Sequence, residues 1–129
     1  MKIRKHISQM SKKEIKYLNN KLSHITKLNM TEHVIEKSFC RNISSEDIDR
    51  MLKNIDSANI IEYNTDTVKR YNRVLVRTAI IYTVNNESYN LCGIVDIDTH
   101  HLVTVYWNKV TNYHSHLDMR EYYKSLKIV

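Results

Sequence analysis

The sequence predicts an α+β fold: N-terminal helices packed on a roughly four-stranded antiparallel meander sheet, closed by a short C-terminal helix. Three observations carry this reading. Apolar residues recur at helical spacing in the first 56 positions and at strand spacing after about 60. Polar turn pairs, Asn85-Asn86 and Thr99-His100, divide the second half into hairpins. No repeat, low-complexity tract or linker interrupts the 129 residues. The chain therefore reads as one domain, with a basic helical segment over 1–30 and an α+β core over 31–129.

Each element has a local signature. Ser11 and Glu14 form a capping box, and Ile15, Leu18, Leu22 and Ile25 follow at helical spacing, which predicts a first helix over 11–28. Thr31 caps a short helix over 32–40 expected to bury Val34, Ile35 and Phe39. Ser44 and Asp47 open a third helix over 45–56, with Ile48, Met51, Leu52 and Ile55 inward. Strands are then expected over 60–63, 73–84, 89–98 and 101–108, the second central because it is apolar on both faces. Asp118 to Leu126 predicts the closing helix.

Composition narrows the function classes. Hydrophobic residues make up 42% and charged residues 26%, the balance of a folded soluble protein. Gly93 is the one glycine and proline is absent, so neither a dinucleotide fingerprint nor a glycine-rich phosphate loop can form. No stretch approaches the roughly 18 apolar residues of a membrane span. No apolar run follows Lys2, Arg4 and Lys5, so no secretory signal is expected and the cytoplasm is the expected location. In that setting Cys40 and Cys92 are expected as reduced thiols rather than a disulfide. No cofactor is expected.

The net charge of +6 is uneven. Residues 1–30 hold eight basic side chains against Glu14, whereas residues 31–129 are nearly balanced. Lys12, Lys13 and Lys16 lie on the first helix and suit phosphate or an acidic partner. The same pattern suits an ordinary solvated helix face.

His33, Lys37 and Arg41 stand at i, i+4 and i+8 on the second helix. An imidazole, an ammonium and a guanidinium aimed at one point suit a phosphodiester, the first moving a proton and the others stabilising an oxyanion. They are equally compatible with surface charges. Arg73 and Arg77 share a strand face, and Glu62 is the sequence candidate to pair with Arg77. Tyr106 and Asn108 share a face at the end of the last strand, followed by Tyr113, His114 and His116. His114 and His116 with Asp118 or Asp96 form a weak candidate metal set, an alternative to a metal-free acid–base role or to solvated loop histidines. His100 and His101 read as turn residues. Trp107 and the nine tyrosines offer stacking surfaces, most of them expected in the core or at its rim.

Two stretches carry a resemblance. One runs His33-Val-Ile-Glu-Lys37-Ser-Phe-Cys-Arg41-Asn-Ile43-Ser and on to Ile60-Ile-Glu62-Tyr. The other runs Arg73-Val-Leu-Val-Arg77, then Leu102-Val-Thr-Val-Tyr106-Trp-Asn108, then His116-Leu-Asp118 and Tyr122. Together they resemble small proteins of phages and plasmids of low-GC bacteria, and through them the barnase/EndoU/colicin/RelE-like group of toxin ribonucleases. The likeness covers about two-thirds of the chain, without the first helix. It implies helices preceding a four-stranded antiparallel sheet, metal-independent RNA cleavage and, for a phage-encoded protein, the host cytoplasm. It implies that His33 and Arg41 match the family's helix His and following Arg, that Arg77 matches a sheet Arg, and that Tyr106 and His116 match polar groups at the sheet's end. Lys37 stands where relatives carry Arg, Asn42 stands where they carry Gly, and the basic first helix is an addition.

Three functional readings follow. The first is a metal-independent endoribonuclease using His33, Arg41, Arg77, Tyr106 and His116. The second is a non-catalytic protein that binds RNA or an acidic host protein through the basic helix or the sheet face, with Lys37, Arg73 and Asn108 contributing. The third is a metallo-hydrolase built on His114 and His116. Exposed edges of a meander sheet also allow a homodimer.

Overall fold

A computed structural model of the chain describes residues 2–111. The closing helix expected at 118–126 lies outside them, as do Tyr113, His114, His116 and Asp118. The described elements are β1 (Lys2–His6), α1 (Lys12–Ser23), α2 (Glu32–Cys40), α3 (Ser45–Lys53), β2 (Asn59–Asp66), β3 (Tyr71–Val84), β4 (Glu87–Asp96) and β5 (Leu102–Lys109), with 3-10 turns at Ile7–Gln9 and Ile55–Ser57. The five strands form one antiparallel sheet in the order β1-β2-β3-β4-β5. The fold is α+β, and β3 is its central strand.

The sheet has five strands where four were expected, and a strand precedes the helices. The extra strand comes from Lys2–His6, inside the segment read as helical and basic. Its alternating charges hide its period, because lysine and arginine are poor strand formers. What holds it is tertiary. β1 pairs with β2 from Lys2–Asp66 to His6–Glu62, and the Arg4 guanidinium donates to both oxygens of the Glu62 carboxylate. β2 is therefore not an edge, and it runs to Asp66 instead of stopping near Tyr63. Lysines on β1 keep this outer edge unfriendly to further strands.

α1 is shorter than expected and ends at Ser23, with His24 as its C-cap. The chain then runs without helix to Asn29, while Ile25 and Leu28 stay buried. Asn29 forms a parallel bridge to His101, donating from its amide to the His100 carbonyl and accepting from the Leu102 amide, both at 2.8 Å. This tie fixes where α2 starts relative to β5.

α2 has its expected bounds but turns a different face inward. Val34 and Ser38 are buried, whereas Ile35 is 50% and Phe39 85% exposed. Periodicity alone admits either stripe. The closure after α2 decides between them. Asn42 takes a left-handed φ of 59°, its amide bonds the Phe39 carbonyl, and the Ile43 amide bonds the Ser38 carbonyl. This is a Schellman motif with Asn where Gly usually stands, and it drives Ile43 into the core.

One apolar core lies between the helices and the sheet, built on Leu18, Leu22, Met51, Val74, Val76, Leu91, Val95 and Val105. Gly93 belongs to it. A Cβ there would meet the Met51 Cε at 2.9 Å, so the missing side chain is what lets α3 lie close on β4. The opposite face of the sheet carries a smaller cluster of Ile61, Leu75 and Cys92, with Ile94 and Tyr106 beside it.

The hairpin turns are as expected: Asn85 and Asn86 both take positive φ, 51° and 63°, the paired left-handed turn that matches strand twist. Among the described residues no helix is long and apolar enough to cross a membrane.

Candidate phosphate-binding site

The inward stripe of α2 places His33, Lys37 and Arg41 along the flank that faces β5. With Val34, Val103, Thr104 and Val105 they line a hollow of about 140 Å³. Arg41 sits just past the last helical residue, where its Nη1 donates to the Thr104 Oγ1 at 3.1 Å and to the Val105 carbonyl at 2.8 Å. The bond to a strand carbonyl orients the planar fork. Among the described residues, Arg41 Nε and Nη2, the Lys37 ammonium and the His33 ring have no hydrogen-bond or ion-pair partner. The three groups that the sequence set at i, i+4 and i+8 therefore share one open site.

The remaining expected site residues lie elsewhere. Arg77, Cys92 and Tyr106 are cross-strand neighbours in one row on the sheet face away from the helices. Arg77 is buried, and its Nε and Nη2 donate to the Asn90 side chain at 3.1 and 3.0 Å while Nη2 also donates to the Lys109 carbonyl at 2.7 Å. Glu62, the sequence candidate for Arg77, accepts the two hydrogen bonds of Arg4. Asn108 lies opposite Asn90 in the ladder. His116 is outside the described residues.

Burial sets the chemistry of this second face. It pushes the Tyr106 phenol up to about 12; the Cys92 thiol and Glu62 add to the rise, and Arg77 opposes it. Burial likewise raises the Cys92 thiol to about 11 against the pull of Arg77. Tyr106 is thus a neutral phenol at neutral pH, the form that can donate a proton or a hydrogen bond.

Lys12, Lys13 and Lys16 are exposed along α1. That helix packs on the 55–57 turn, whereas α2 packs on β5, and no α1 residue lines the hollow.

A larger hollow, of about 530 Å³, adjoins the first. Its lining includes Lys69, Arg70, Tyr71, Arg73 and His101, and it shares Val103 with the smaller one. Val103 is the extra residue of a bulge, since Val95 pairs with Leu102 and Ile94 with Thr104. Arg73 was expected to bind phosphate; Lys69, Arg70 and Tyr71 were not singled out, and His101 was read as a turn residue. The available signal was the run Lys69-Arg70 with Arg73 three positions on. Only the hairpin geometry brings it to the 97–101 turn.

Among the described residues no group of three His, Cys, Asp or Glu side chains could hold a metal ion. No protein-family model matches the chain, and no curated protein or solved structure matches it.

Proposed function

We propose that this chain binds the phosphodiester backbone of RNA in the hollow between α2 and β5, in the cytoplasm. One observation carries the reading: His33, Lys37 and Arg41 line a single open site, and Arg41 is oriented by protein acceptors at Nη1 alone. Guanidinium and ammonium groups placed this way are phosphate donors of complementary kind, a planar fork and a point charge. The positive residues of 1–30 supply a long-range field that speeds encounter with a polyanion. The resemblance to toxin ribonucleases points to the same ligand.

Binding is favoured over cleavage because, of the described residues expected to complete a catalytic centre, Arg77 and Tyr106 do not line this hollow. Arg77 is instead engaged by the Asn90 side chain and the Lys109 carbonyl, and Tyr106 lies beside Cys92. An acidic host protein is the competing partner. The test is fluorescence anisotropy of a labelled RNA oligonucleotide with the full chain over a range of salt. The double variant His33→Ala/Lys37→Ala should bind about tenfold more weakly and lower the log–log salt slope by about 1. Wild-type affinity with an unchanged slope would count against the reading.

The presence of His33 beside two cations supports a second reading, metal-independent cleavage with His33 as the base that activates a ribose 2′-hydroxyl. Strand scission that persists with chelator and disappears in His33→Ala would favour it. Absence of scission by the wild-type chain would dismiss it.

A further inference from the structure

We infer that the hollow between the 67–70 and 97–101 turns is a second anion subsite, and that the two hollows form one track for single-stranded RNA. This extends the reading of the α2–β5 hollow and rests on it for the first phosphate. The larger hollow is lined by Lys69, Arg70, Arg73 and His101 against one acid, Asp96. That acid is already committed. Its Oδ1 accepts from the amides of Asp98 and Thr99, both at 2.9 Å, and its Oδ2 from the amide of Asn72 at 3.1 Å. Among the described residues Lys69, Arg70 and Arg73 form no ion pair with a carboxylate, so three cations face the single Asp96 charge and remain available to an anion from solution.

Arg73 makes the site more specific than a patch of charge. Its Nε is buried and has no hydrogen-bond partner. Its guanidinium lies 4.4 Å from the centre of the Tyr71 ring. Its Nη1 and Nη2 are not buried and have no hydrogen-bond partner among the described residues, so they are the donors a phosphate oxygen would meet. The Tyr71 ring, with the Arg73 guanidinium over it, would offer a surface on which an unpaired base stacks. A run of Asp and Glu has no such group to place there, and a duplex keeps its bases stacked on one another. Arg70 holds a left-handed φ of 58°, as do Asn42, Asn85, Asn86 and His100 with φ from 51° to 63°. A cation stands where the backbone would accept Gly or Asn more readily.

Continuity comes from β5. The bulged Val103 lines both hollows, so Lys69, Arg70 and Arg73 lie on one side of it and Lys37 and Arg41 on the other. Phosphates of one strand would occupy the two, with a base on Tyr71.

The experiment measures binding of the full chain to labelled oligouridylate of twelve nucleotides across salt concentrations, with poly-glutamate as competitor. Lys69→Ala/Arg70→Gly should bind about tenfold more weakly and with a salt slope lower by about 1 to 2. Its thermal midpoint should not fall, since Gly suits the backbone at position 70. Tyr71→Leu should bind at least about fivefold more weakly with the slope unchanged, the mark of lost stacking rather than lost charge. Wild-type binding by Lys69→Ala/Arg70→Gly, together with weakened binding by His33→Ala/Lys37→Ala, would overturn the second subsite and leave the first intact. The reverse pattern would overturn the first hollow and keep the second as an isolated anion site, without the track. Undiminished binding by Tyr71→Leu, with poly-glutamate competing as well as RNA, would overturn the nucleic-acid assignment in favour of an acidic protein.

Discussion

The guanidinium of Arg41 donates to the main-chain carbonyl of Val105 at 2.8 Å, joining the end of α2 to the edge strand β5. Val105 is buried, so this carbonyl depends on protein donors. The same side chain lines the α2–β5 hollow. Structure and proposed binding therefore meet in one residue.

Arg41→Ala should lower unfolding stability by about 1 kcal/mol, the usual scale for one lost hydrogen bond to a carbonyl. It should also weaken RNA binding. Arg41→Lys keeps the charge and loses the fork, so it should recover part of the binding and little of the stability. Denaturant unfolding and anisotropy on the same preparations separate the two effects.

Gly93→Ala should destabilise the fold by about 1 to 2 kcal/mol, because the added methyl overpacks against the fully buried Met51 side chain. The thioether's freedom to shift keeps the cost at this level. In a Met51→Ala background the same glycine change should cost almost nothing. A double-mutant cycle that shows additive costs would mean that the contact with Met51 is not what excludes a side chain at 93.

Acid should unfold the protein through carboxylates held by main-chain donors. Burial by itself would raise the Asp96 carboxyl, but hydrogen bonds from the amides of Thr99, Asn72 and Asp98 outweigh it and hold the group below its ordinary 3.8. A carboxyl depressed in the folded state adds stability above its unfolded value, and that stability is lost as pH falls through the folded value. The expected loss therefore begins near pH 3.8 and deepens below it. Asp96→Asn places an amide NH2 against one of those donors. It should cost about 1 to 3 kcal/mol at neutral pH and flatten the acid limb of the stability curve, as read by denaturant unfolding at stepped pH.

The two thiols should react very differently. Cys40 is exposed, whereas Cys92 is buried with its thiol raised to about 11. A chromogenic disulfide reagent at neutral pH should titrate one thiol rapidly in the native protein and the second only after denaturant is added. Rapid reaction of both would mean that the far face of the sheet opens easily.

Much of the fold was readable from local chemistry. Capping by Ser11, Thr31 and Ser44 placed the start of each helix within a residue, and each cap is made as the pattern implied. The Asn85-Asn86 hairpin and the apolar β3 run were equally plain, since turn chemistry and two-fold alternation are properties of a few adjacent residues. β1 was not readable, because its stability comes from Glu62 and a ladder to β2, about sixty positions away. The inward face of α2 was misread for a related reason: Ile35 and Phe39 have the right spacing, but the Schellman closure at Asn42 and Ile43 turns Val34 and Ser38 to the core. These differences also alter how the basic segment can be probed. Deleting residues 1–28 would remove a strand and the core residues Leu18 and Leu22, so neutralising Lys12, Lys13 and Lys16 by substitution is the cleaner way to ask what α1 contributes.

The sequence by itself determined the α+β class, the helix starts, the hairpin turn at 85–86 and the alignment of His33, Lys37 and Arg41 on one helix flank, because each depends on spacing and chemistry within a few residues. The tertiary structure decided that these three face β5, that Arg77 and Tyr106 lie outside their hollow, and that Lys69, Arg70 and Arg73 line a hollow with the 97–101 turn. Strand pairing sets which side of a sheet a residue occupies and which loops lie side by side, and pairing is chosen by partners far apart along the chain.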